Sequence, residues 1–82
     1  MIKLYLIVAG VCVQEFEFEG DNKLVQALVQ VRKYQKHMNA QGGRALKLVH
    51  RFTRNQRKYT GRTKDGEFVT VVLDGILSRQ TR

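Results

Sequence analysis

Eighty-two residues with one cysteine and no proline make one small domain. Such a chain is too short for separate substrate and cofactor domains, and folding buries only about 60–65% of its surface. The formal net charge is +8, and it is not spread evenly. Residues 32–64 hold eleven Lys and Arg and no acid, while 1–31 carry −2 and 65–82 carry −1. A surface that only solubilises mixes its signs, so this segregation points to a binding face with its own field.

In chain order, Ile2, Leu4, Leu6 and Val8 alternate with Lys3, Tyr5, Ile7 and Ala9. Both sets are largely apolar, which predicts a central strand. Its beginning, MIKLYLIVAGVC, has a superficial likeness to a secretion signal. The apolar run is short, Lys and Tyr interrupt it, and bulky Val11 precedes Cys12 where a lipoprotein needs a small residue. No stretch approaches the roughly 20 apolar residues that span a bilayer. The expectation is a soluble, cytoplasmic chain with no membrane partner.

Gly10 suits a tight turn, with one long bulged strand as the alternative to a hairpin. Beyond it, Cys12, Gln14, Phe16 and Phe18 share one parity, and Glu15, Glu17 and Glu19 the other. That is a strand with one packed and one wet face. Cys12 is expected to be a buried strand residue, and a lone cysteine makes no intramolecular disulfide. With only His37 and His50 beside it, well apart in sequence, no metal or other cofactor is expected.

At GDNK the period changes. Asp21 or Asn22 is placed to cap a helix. Residues 23–39 then repeat Ala27, Val31, Tyr34 and Met38 at steps of four, three and four, widened by Leu24 and Leu28. Gly42 and Gly43 end the helix. Arg44 to Arg54 alternates again, followed by RKYTGRTKDG and EFVTVVL. Asp65-Gly66 is a hairpin signal and Asp74-Gly75 a second turn, before a short ILS segment and a basic tail. The sum is an α+β fold in the order β-β-α-β-β-β, with one amphipathic helix packed across an antiparallel sheet.

The basic stretch from Arg51 to Gly66 then acquires a geometry. Lys58, Thr60, Arg62 and Lys64 share a parity, and on a strand they stand about 6.8 Å apart. That step is close to the spacing of successive phosphates on one nucleic-acid strand. Arg44, Lys47, Arg51, Arg54 and Arg57 add donors that suit phosphate oxygens, and Tyr59 is placed either to stack on an unpaired base or to pack its ring on the sheet. Thr53, Thr60, Thr63, Asn55 and Gln56 supply neutral donors. Arg32, Lys33 and Lys36 extend the patch on condition that they lie on the same side. The chain carries no RNP-type aromatic strand, no GXXG loop and no zinc-finger spacing, which disfavours base-specific reading.

Catalysis is not expected. Ser78 is the only serine, and Gly42-Gly43 follows a helix instead of opening one, the reverse of a phosphate loop. Glu15, Glu17 and Glu19 sit on a wet face, whereas a paired catalytic acid needs an apolar pocket. Two functions remain. The first is a non-catalytic module binding DNA or RNA by its phosphate backbone through a basic β-hairpin. The alternative is a protein-binding accessory or inhibitor, of the compact kind found among phage and mobile-element products, docking on an acidic or nucleic-acid-handling complex. A thin core and open sheet edges favour a homodimer in either case.

Overall fold

The computed structural model describes residues 1–48 and 55–76, with 44–48 described through their backbone. The expected Arg51, Arg54, Thr53, His50 and the terminal ILS segment beyond Ile76 lie outside the described residues. Six elements follow in the anticipated order: β1 (Ile2–Val8), β2 (Val11–Phe18), α1 (Lys23–Ala40), β3 (Arg44–Leu48), β4 (Gln56–Arg62) and β5 (Phe68–Asp74). The strands form one antiparallel sheet in the order β2-β1-β5-β4-β3. No described helix is long and apolar enough to cross a membrane.

β1 runs between β2 and β5, so both of its edges are paired, as expected of a central strand. It leaves for β2 through a two-residue turn, with Val8 opposite Val11. Both turn residues have positive φ, 53° at Ala9 and 83° at Gly10. This geometry matches the right-handed twist of a hairpin but strains a residue with a Cβ. The register then slips, with Leu6 opposite Gln14 but Ile7 opposite Cys12. Val13 is thus an extra residue, and the bulge breaks the parity that links Cys12 to Gln14 in the sequence. Cys12 is consequently exposed, not buried as its alternation suggested. The edge position of β2 adds to this, and nearly all of the strand is exposed.

The helix starts at the anticipated place by a different means. Asn22 occupies the N-cap, but its side chain makes no capping bond there. Its Oδ1 accepts from the Gln26 side chain at 3.3 Å instead. The other end is a Schellman closure. Gly43 N–H donates to the Met38 carbonyl at 2.8 Å, and Gly42 N–H, at a φ of 83°, to that of Asn39 at 3.1 Å. Gly43 is also required by its surroundings, since a Cβ there would stand 2.6 Å from the Arg62 carbonyl oxygen. That close approach lets β3 begin directly beside the end of β4.

One face of the sheet and the inner stripe of α1 make the core. Ile2, Leu4, Val69, Val71 and Leu73 from the strands meet Ala27, Val31 and Met38 from the helix, all buried. Leu24, Leu28 and Tyr34 border it. The Tyr34 hydroxyl donates to Gln14 Oε1 at 2.8 Å, tying the helix to the edge strand. Burial pushes that hydroxyl above the ordinary tyrosine range, against a smaller opposing pull from the Gln30 side chain.

Candidate functional site

Residues directly opposite each other in an antiparallel sheet project to the same side. The register therefore assigns every strand residue to a face. Leu4, Leu73 and Arg57 lie in one cross-strand row, and Leu6, Val71 and Tyr59 in the next. These rows lie on the side covered by α1. The alternate rows form the opposite face, which no described helix covers. They comprise Lys3, Asp74 and Gln56; then Tyr5, Val72 and Lys58; then Ile7, Thr70 and Thr60; and finally Phe68 and Arg62.

Three of the four residues expected in a line along β4 are thereby brought together, since Lys58, Thr60 and Arg62 all project from the open face. Lys64 leaves the row. It sits in the turn between β4 and β5, where Thr63 N–H donates to the Glu67 carbonyl at 3.0 Å and Gly66 N–H to the Thr63 carbonyl at 2.9 Å. Gly66 has a φ of 87°. The hairpin is therefore a three-residue loop with glycine in the left-handed position, not a two-residue Asp-Gly turn. Lys64 is exposed at its tip, on the side of the helix C-terminus, close to Gly42.

Tyr59 and Arg57 lie on the side away from this row, as their alternation with Lys58 requires. Tyr59 pairs with Val71 and packs against the core, so its ring belongs to the covered face. Parity separates Tyr59 from Lys58 but does not say which parity meets the helix. Arg57 shares the Tyr59 side and is half-buried. Arg32, Lys33 and Lys36 are on α1, whose Ala27, Val31 and Met38 stripe is turned to the sheet. Arg32, Lys33 and Lys36 are exposed around a shallow surface with Val29 and Asn39. The helix lies between them and the sheet, so the condition for joining the two patches is not met.

The backbones of Arg44 and Lys47 stand opposite Arg62 and Thr60, which continues the basic register onto β3. Asn55 and Gln56, expected as neutral phosphate donors, instead give side-chain hydrogen bonds to Asp74 Oδ1 at 3.3 and 3.1 Å. They close the far end of the β4–β5 pair.

The acids of the first hairpin are held apart from the basic row. Glu15 and Glu17 stand opposite Tyr5 and Lys3 on β2, and two strands intervene before β4. Three inter-strand steps amount to about 14 Å, whereas charges are screened over about 8 Å at physiological salt. Across the open face, Glu15 and Glu17 line the β2 edge, Lys58 and Arg62 stand on β4, and Lys3 and Asp74 lie between them on β1 and β5.

One participant was missed in the sequence. Phe68 is 58% exposed, and the Arg62 Cζ lies 4.4 Å from its ring centroid. The sequence hid this pairing, because counting outward from a two-residue Asp65-Gly66 turn places Val69, not Phe68, opposite Arg62, and only the three-residue loop brings 68 there. The chain matches no family model, no curated protein and no solved structure.

Proposed function

We propose that the chain is a non-catalytic nucleic-acid-binding module that grips the phosphate backbone with the basic hairpin strands of its open sheet face. The observation that carries this reading is the row Lys58, Thr60, Arg62 on one face of β4, set beyond screening distance from the β2 acids. Alternate strand positions advance about 6.8 Å, close to one nucleotide per step. Arg44 and Lys47, whose backbones continue the register onto β3, extend this grip, and Lys64, Arg51 and Arg54 are further cations of the same stretch of sequence. No cofactor enters this function, and a nucleic-acid ligand fits a cytoplasmic location.

The test is a binding titration against duplex DNA, single-stranded DNA and RNA across a salt series. About six neutralised phosphates on duplex DNA give a slope of log affinity on log salt near −5. The Lys58→Ala/Arg62→Ala double variant should flatten that slope by about 2, roughly one for each phosphate deprived of its cation. Its stability should fall by about 1 kcal/mol or less, through loss of the Arg62–Phe68 contact and of the half-buried Lys58 stem. Absence of salt-dependent binding to any of the three polymers rejects the reading.

A second reading has its own observation. Val25 and Val29 are exposed on α1 together with Arg32, Lys33 and Lys36, an apolar and cationic combination that suits an acidic protein partner. An accessory or inhibitor docking by this helix would lose its partner in a Val29→Ser/Lys33→Glu variant and keep it in the β4 double variant. A homodimer pairing through the exposed edge strand β2 would be compatible with either reading and would double the basic surface.

A further inference from the structure

We propose that the Arg62–Phe68 pair is a seat for one unpaired base, so that the preferred ligand is single-stranded nucleic acid. This inference rests on the backbone-binding reading above and narrows it to a strand type. Phe68 starts β5 immediately after the turn and is directly opposite Arg62. More than half of its surface faces solvent, although the covered face of the sheet has apolar positions to offer a ring. The Arg62 guanidinium is drawn over that ring at 4.4 Å. The strand is anchored there, because the Phe68 carbonyl accepts from Ala9 N–H at 2.9 Å.

Bases stack on aromatic rings and on guanidinium planes, and both surfaces meet at this point. A strand whose phosphates follow Lys58, Thr60 and Arg62 lies along β4. Its bases are then directed across β5, where Phe68 stands at the end of the same row as Arg62. Duplex DNA keeps its bases stacked inside the helix and has none to offer. Charge accounts for the grip on the backbone, and the exposed ring accounts for the preference between strand types.

The experiment compares three ligands, namely oligo-dT, an abasic strand of the same length, and duplex DNA, against the full chain, Phe68→Leu and Arg62→Lys. The abasic strand keeps every phosphate and lacks every base. The parent chain should bind oligo-dT more tightly than the abasic strand. Phe68→Leu should lose about 5- to 150-fold on oligo-dT, the range for one stacked base, and should be unchanged on the abasic strand with the same salt slope. Arg62→Lys keeps the charge and loses the plane, so its loss on oligo-dT should exceed its loss on the abasic strand, and it covers the case in which Phe68→Leu folds poorly. Equal affinity of the parent for oligo-dT and the abasic strand, or a variant loss that is the same on both, overturns the base seat and leaves backbone binding standing. Failure of all three ligands to bind at low salt overturns both.

Discussion

The two faces of the sheet are built from alternate residues of the same strands, yet they answer to different demands. Along β5, Val69, Val71 and Leu73 are buried under α1, while Phe68, Thr70 and Val72 between them face the open side. Along β4, Tyr59 meets the core while Lys58 and Arg62 do not. The covered face holds the fold together, and the open face is free to carry charge and an exposed ring. Stability and ligand binding should therefore separate by parity.

The strongest way to break that division is Leu4→Ala on the covered face. Leu4 is fully buried at the centre of a thin core, and truncation should cost about 2–5 kcal/mol, read as a lowered urea midpoint. The Lys58→Ala/Arg62→Ala variant is its counterpart, moving binding and leaving the midpoint nearly in place. If both variants shift the midpoint equally, the faces are not independent.

A smaller effect is expected at the turn, which belongs to neither face. Ala9 holds a left-handed φ of 53°, where a Cβ costs about 1–2 kcal/mol. Asparagine tolerates that region better, so Ala9→Asn should raise the melting temperature by the equivalent of up to about 1 kcal/mol without changing nucleic-acid affinity. The smallest effect is a pH dependence on the covered side. Burial raises the Tyr34 pKa in the fold, so above about pH 10 the unfolded chain loses its proton first. Stability from this group is complete below the unfolded pKa and declines as pH rises towards the folded one. Tyrosinate absorbance of the parent minus that of Tyr34→Phe should show a late-titrating hydroxyl, and a midpoint at or below that of a free tyrosine would contradict the burial of Tyr34 against Gln14.

Much of the fold was legible because its signals are local. The helix over 23–39 announced itself by period, its C-terminal end by Gly42-Gly43, and the chain reversals by Gly10 and Asp65-Gly66. The site was less legible because faces are decided by partners distant in sequence. Parity grouped Lys58, Thr60 and Arg62 correctly, but only the insertion of β5 between β1 and β4 decides that Tyr59 meets the core. The bulge at Val13 left no mark in the alternation of Cys12 to Phe18, and the helical period set Lys33 opposite the core stripe without saying which face of the sheet the helix would cover.

The strand order has one more consequence. With Glu15 and Glu17 on β2 and Lys58 and Arg62 on β4, these two strands together set up an electric dipole lying in the plane of the sheet. Near an extended anion such a dipole feels a torque before the two surfaces touch. The domain would then arrive with its positive border leading, and fewer of its random collisions would be wasted on the wrong orientation.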